Sequence, residues 1–440
     1  MEVVLIRAAQ LILSLSILIV FHEFGHYFFA KLFGARVEKF YLFFNPWFSL
    51  FKFKRGDTEY GIGWVPLGGY VKISGMIDES MDKEAMAAPP KPYEFRTKPA
   101  WQRLLIMIGG VSVNIILAFV IYIFIMWIWG ETYLPTQNAK YGIICDSAAT
   151  EMGLKNGDKI ISVDNKVIEK FSDITPTILL DESKSIQILR NDTALSIDVP
   201  RNLIKNVIKR KGFIREAFPF VVDSFTEKSQ GKVAGLVKGD IIVGINGEAL
   251  RFFHEYPARL DKLKNQKADL AVIRGGDTLD IKTNVDADGK LGVYPLAISS
   301  KLFELRKIDY SFWAAIPRGI KKGATEVSNY LKQFKLLFSS ETEAYKELGG
   351  FITIATIFPA QWDWYAFWMM TAFLSIILGV INLFPIPALD GGHVMFLLYE
   401  MISGRKPSDK FMEYAQIVGM VLLFGLLIYA NGNDIVKLFR

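Results

Sequence analysis

The feature that most constrains this chain is His22-Glu23-Phe24-Gly25-His26, set near the end of an almost unbroken apolar stretch. From Ala8 to Val20 only Gln10, Ser14 and Ser16 are polar, and Tyr27 to Ala30 follow the motif. Such a run is long enough to cross a bilayer as a helix. On a helix, residues four apart share a face, so His22 and His26 can offer both imidazoles to one metal ion. Glu23 is turned about 100° from His22, where it can reach an attacking water but not easily the metal. Two neutral nitrogen ligands and one carboxylate base is the division of labour that metal-assisted hydrolysis needs. Ionisable groups in a membrane helix are costly unless they face a partner or a watery cavity. The pattern therefore predicts a zinc site completed from elsewhere in the chain.

Composition agrees with a membrane setting. Hydrophobic residues make up 51% of the 440 residues, and mean hydropathy is +0.26. The single cysteine, Cys145, excludes an internal disulfide and a thiolate zinc cluster, and reads as a small buried apolar residue. The net charge of +6 is spread out and fits membrane-flanking lysines rather than nucleic acid. The N-terminus has no basic n-region or small-residue cleavage site, which predicts a retained helix.

Four segments are apolar enough to span: about 3–30, 104–129, 364–389 and 412–430. Trp127, Trp129, Trp362, Trp364 and Trp368 sit near their ends, as interfacial aromatics do. Lys31, Arg36, Lys39, Lys52, Lys54 and Arg55 follow the first span, and Arg405, Lys406 and Lys410 precede the fourth. This bias predicts both basic loops in the cytoplasm, both termini outside and His22 and His26 toward the cytoplasmic end.

Between the first two spans, Thr58 to Ser74 mixes apolar residues with glycines and predicts two short strands joined through Pro66-Leu67-Gly68-Gly69, dipping into the membrane. Residues 78–100 read as a polar connection. Residues 131–300 are charged and turn-rich and carry an internal repeat: Gly153-Leu154-Lys155-Asn156-Gly157-Asp158 matches Gly235-Leu236-Val237-Lys238-Gly239-Asp240. Each copy predicts a helix end, a Gly-Asp turn, a strand and a tight turn, in domains at 133–212 and 213–298. His254 reads as a surface or packing residue. In the part from 301 to 440, a stripe of Trp313, Ile316, Ile320, Val327, Leu331, Phe334 and Phe338 among lysines predicts an amphipathic helix over 309–338, lying on the membrane surface or packed.

A catalytic zinc site usually has three protein ligands. The third span ends in Asn382-Leu383-Phe384-Pro385-Ile386-Pro387-Ala388-Leu389-Asp390-Gly391-Gly392-His393. Its prolines must break or end the helix, which is tolerated where the freed backbone lines a cavity. Asp390 is the acid at that break and the preferred third ligand, since a carboxylate also offsets the metal's charge. His393 is the rival.

With both motifs in hand, the sequence resembles the site-2 proteases, a family of intramembrane zinc metalloproteases, in its RseP-like branch with tandem PDZ domains. His22 to His26 is similar to the family's HExxH, and Asn382 to Gly392 to its NxxPxPxLDGG. Gly63 to Lys72 resembles its re-entrant β-loop, and the two Gly-Asp turns resemble its PDZ turns. The second span departs by having Gly109-Gly110-Val111-Ser112-Val113-Asn114 where relatives often carry a proline before the Asn.

The resemblance implies a polytopic α-helical membrane protein with four transmembrane helices, a re-entrant β-loop and two α+β PDZ-like domains between helices 2 and 3. It implies a protein of the bacterial inner membrane, with the PDZ-like domains outside and the active site toward the cytoplasm; the sequence leaves the oligomeric state open, with a monomer as the expectation. Its substrates would be single-pass transmembrane proteins, such as anti-sigma factors and remnant signal peptides. Its zinc would be held by His22, His26 and Asp390, with Glu23 as base. Asn382, Gly63, Gly68, Gly69, Tyr70 and Pro385 would contact substrate. A membrane-anchored PDZ scaffold with a structural zinc is the competing reading, and a metal-ion carrier the third. Glu23 speaks against the first, and the absence of acids and histidines in span two and from Tyr414 to Ala430 against the second.

Overall fold

The computed structural model describes residues 2–66, 68–76, 89–200, 202–210, 212–296, 302–337, 339 and 342–439. Leu67 of the expected turn, residues 78–88 of the polar connection, 297–298 and Phe338 lie outside these. The chain divides into two units: Met1–Gly130 with Asp309–Leu331 and Tyr345–Arg440, and Glu131–Ile308 with Lys332–Ala344.

The first unit holds helices of spanning length and apolarity: α1 (Glu2–Leu32), α2 (Ala100–Ile128), and, later in the chain, Trp364–Asn382 and Asp409–Leu438. The last two are α5 and α7, because α3 (Phe312–Leu337), of which the part up to Leu331 belongs to this unit, α4 (Phe351–Ile357) and α6 (Asp390–Ser403) come before them or between them. The chain is thus a membrane protein that also carries sheet-rich parts. Local chemistry sets the helix ends. Gly34, at φ +65°, closes α1, and the Asp363 carboxylate accepts the Ala366 amide at the start of α5. The third spanning helix stops at Asn382 rather than running to 389, because Pro385 and Pro387 cannot continue it.

Helices α1 and α2 cross at glycines. A Cβ on Gly25 would lie 2.2 Å from the Gly109 carbonyl oxygen, so the backbones pack directly, as small residues permit inside membranes. The Ser375 hydroxyl of α5 donates to the Asn114 carbonyl of α2 at 2.7 Å. The pair Arg103–Glu400, at 2.5 Å, ties the start of α2 to α6. On α3 the buried residues are Ala315, Gly319 and Gly323, the last two against Ile123 and Phe119 of α2. Of the bulky stripe, Val327 packs against the α2 cluster, whereas Trp313, Ile320 and Leu331 are exposed.

After α1 come β1 (Val37–Leu42), β2 (Phe51–Arg55), β3 (Thr58–Ile62) and β4 (Tyr70–Ile73). They form a sheet in the order β2-β3-β1-β4. The two expected strands exist, but they do not pair with each other. β1 lies between them, parallel to β3 and antiparallel to β4, which leaves β4 an edge among the described strands. The sequence of β1 alternates weakly, so its place in the sheet was not legible.

In the second unit the repeat is structural. Gly153 and Gly235 both follow short helices with φ near +100° (102° and 98°), and Leu154 and Leu236 are buried. The strands Lys159–Val163 and Ile241–Ile245 follow, ending in the positive-φ pairs Asp164-Asn165 and Asn246-Gly247. Asp158 accepts a two-pronged hydrogen bond from Arg190, and Asp240 the same from Arg274. Each arginine also donates to the carbonyl of its copy's first glycine. The two cores meet differently from a cut at 212/213: Ile214–Glu216 pairs with Ile143–Cys145, and Phe213 and Ile214 lie in the first core. Leu302 and Phe303 return to that core too, and Arg306–Ile308 pairs with Glu131–Tyr133. Burial of these apolar residues, not sequence proximity, decides their membership.

Candidate metal centre

The motif helix presents His22 and His26 on its buried side. Their Nε2 atoms lie 3.3 Å apart, and Asp390 Oδ2, at the start of α6, lies 3.2 Å from the first and 3.4 Å from the second. Ligands at about 2.0–2.1 Å from zinc in tetrahedral array stand about 3.3–3.4 Å from one another, so three corners of such a tetrahedron are in place. Asp390 Oδ2 is buried with no hydrogen-bond partner. A buried carboxylate oxygen aimed at two imidazole nitrogens is the donor set a divalent cation satisfies. His393, one turn along α6, lines the cavity but is not in the three-residue cluster.

The outer nitrogens are held as well. His26 Nδ1 lies 2.9 Å from the Ile106 carbonyl and His22 Nδ1 lies 3.3 Å from the Asn114 side-chain nitrogen. A carbonyl acceptor at Nδ1 fixes the proton there and leaves Nε2 free for metal. Gly110 makes room for both rings, since a Cβ there would stand 2.4 Å from His26 Nε2. These second-span residues were visible in the sequence only as a departure from a proline pattern. A lone Asn beside a Gly pair in an otherwise apolar span was the available signal.

The cluster opens into a cavity of about 560 Å³. Glu23 lines it, with its Cγ 3.3 Å from where a Gly69 Cβ would be. Asn382, Gly69 and Tyr70 also line it, as do Val71, Lys72 and Ile73 of β4. Gly63, Gly68 and Pro385 are not among its lining residues. Gly63 instead lets the chain pass the Phe44 backbone, where a Cβ would stand 2.1 Å from the carbonyl oxygen. Pro385 serves the break that sets Asp390 in place. Within that break Ala388 holds φ +99°, a strained conformation for a residue with a Cβ.

The profile of peptidase family M50 matches residues 10–426. The chain belongs to peptidase family M50. This is the site-2 protease family of zinc metalloproteases, and the M50 match takes in the motif helix, the glycine-rich strands and the Asp390 break alike. Among relatives, a Xylella fastidiosa protein named "Putative zinc metalloprotease" is 27% identical over 450 residues, covering 97% of each chain. A Campylobacter jejuni protein of the same description is 29% identical over 435 residues, covering 97% of this chain and 92% of its own. The regulator of sigma-E protease RseP of Salmonella typhimurium is 28% identical over 466 residues, covering 99% of both. The M50 peptidase thus aligns along its whole length with proteins of this kind.

Proposed function

We propose that this M50 peptidase is an intramembrane protease of the bacterial inner membrane that cuts transmembrane segments of single-pass proteins, with anti-sigma factors and remnant signal peptides as the substrate class. The observation that carries this reading is the convergence of His22, His26 and Asp390 beside Glu23, in a cavity bounded by helices long and apolar enough to span. His22, His26 and Asp390 hold zinc. When bound, zinc polarises the scissile carbonyl and makes water acidic near neutral pH. Glu23 takes the proton from the attacking water and returns it to the leaving amine. Asn382 and the β4 edge hold the unwound substrate through its main chain. The active site faces the cytoplasm, by the basic loops flanking the spans.

The two sheet-rich halves of the second unit are PDZ-like and act outside as a gate that admits substrates already trimmed of their outer domains. Replacing 131–308 by a short linker, at the Glu131–Tyr133 and Arg306–Ile308 pairing, should let bulky substrates be cleaved. An unchanged preference for trimmed substrates would remove the gate.

The catalytic assignment is tested with purified protein, a single-pass substrate and metal analysis. Glu23→Gln should keep zinc and lose cleavage, and His22→Ala, His26→Ala or Asp390→Asn should lose both. His393→Ala should keep near-stoichiometric zinc. Full cleavage by Glu23→Gln, or loss of metal with His393 alone, would refute the assignment.

A further inference from the structure

We infer that Gln416, on the last helix, is a main-chain clamp for the substrate, an inference that rests on the protease reading above. Gln416 is only 5% exposed, yet it makes no hydrogen bond to any other described residue. Its polar atoms are not among the sealed, unpartnered ones, unlike the amide oxygens of Gln10 and Asn114 and the Ser14 hydroxyl. It lines the catalytic cavity and also a neighbouring one of about 60 Å³, and stands with Met76, Ala388 and His393 at the neck the two share. The amide is therefore open to the cavity rather than packed in the apolar wall.

The helix cannot easily turn this side chain away. Gly419, three residues on, is seated directly on the proline break, where a Cβ would lie 1.3 Å from the Pro387 carbonyl oxygen. Gln416 is thereby held over the strained Ala388, two residues before Asp390.

An extended peptide shows backbone groups on two sides. One row can pair with the open edge of β4. The opposite row gives up water as the peptide seats against the cavity wall, and each group left unpaired there is costly. A glutamine amide can accept from a peptide N–H and donate to a peptide C=O at once, without reading side chains. Placed on the helix that closes the cavity, Gln416 supplies partners for that second row. It is a positioning residue that touches substrate and takes no proton.

The test uses full-length protein in detergent micelles with a fluorescent single-pass transmembrane peptide as the probe. Gln416→Met keeps length and volume and removes hydrogen bonding. Peptide affinity, measured in a Glu23→Gln background, should weaken about fivefold to tenfold, and kcat/KM in the otherwise native enzyme should fall about tenfold, the effect of one or two lost buried hydrogen bonds. Zinc content and melting temperature should hold or rise, since an unpartnered amide has been removed. Gln416→Asn should fall between the two. Unchanged binding and cleavage would overturn the clamp while leaving the protease reading intact. A fall in zinc or melting temperature alongside activity would also overturn it, by making Gln416 a packing residue. Absence of cleavage by the unsubstituted enzyme would instead count against the protease reading.

Discussion

The Asn114 side-chain nitrogen lies 3.3 Å from His22 Nδ1, while the oxygen of the same amide is buried without a partner. An imidazole that gives Nε2 to a metal carries its proton on Nδ1 and needs an acceptor there. A half-turn of the amide supplies one and pairs the stranded oxygen. Asn114→Asp, which keeps an acceptor, should hold zinc at least as well as the native residue. Asn114→Leu should weaken zinc about 10- to 100-fold, read by competition with a chelator. Equal zinc affinity of the Leu variant would show that Asn114 does not orient His22.

Gly110 is predicted to be intolerant of any side chain. An added methyl would stand 2.4 Å from His26 Nε2 and 2.8 Å from His22 Cε1, so the rings must move. Gly110→Ala should lose most bound zinc, whereas Gly425→Ala, with nothing within 4 Å of the added carbon, should retain it. Metal analysis of the two purified variants decides the point.

The open edge of β4 gives a backbone prediction. The Ser74 amide donates to the Arg36 carbonyl on the β1 side. Alternate amides along a strand point to opposite sides, so those of Val71 and Ile73 face the open edge. Val71→Pro should cut cleavage at least about tenfold with zinc retained, while Val71→Ile should be mild. Proline at Ile62 is a different experiment, because β3 is flanked on both sides and Ile62 pairs with Phe51 and Leu42. It should destabilise the sheet. Cleavage by Val71→Pro at the native rate would mean substrate does not pair with this edge.

The buried Asp240 predicts a pH dependence of the second unit. Its hydrogen bonds from Arg274 hold the carboxyl below the ordinary carboxylate pKa, despite burial acting the other way. A carboxyl depressed in the folded state stabilises fully above its unfolded pKa of about 3.9 and loses that contribution as pH falls through the folded value. Arg274→Met should therefore lower stability at neutral pH and flatten the acid limb below about pH 4. Denaturant unfolding followed by circular dichroism in the β-sheet region measures both. An acid limb as steep in the variant as in the native chain would assign it to other groups, Asp164 among them, whose carboxyl is also held low by backbone and serine hydrogen bonds.

The sequence alone determined what depends on local spacing and composition. Four apolar runs, a histidine pair four residues apart with an acid beside it, prolines that must end a helix, and a repeated Gly-Asp turn each act within a few residues. Their outcome is fixed by helix geometry, by the bilayer and by backbone sterics. Tertiary structure decided what depends on approach between distant segments. It brought Asp390 and not His393 against the imidazoles, set β1 between the two expected strands, and drew Phe213, Phe303 and their neighbours into the first core of the second unit. It also gave roles to Gly110, Asn114 and Gln416, whose meaning lies in close packing between helices rather than in any neighbour along the chain. No local pattern encodes a 2.4 Å clearance or a buried amide facing a cavity, because both exist only once the helices have met.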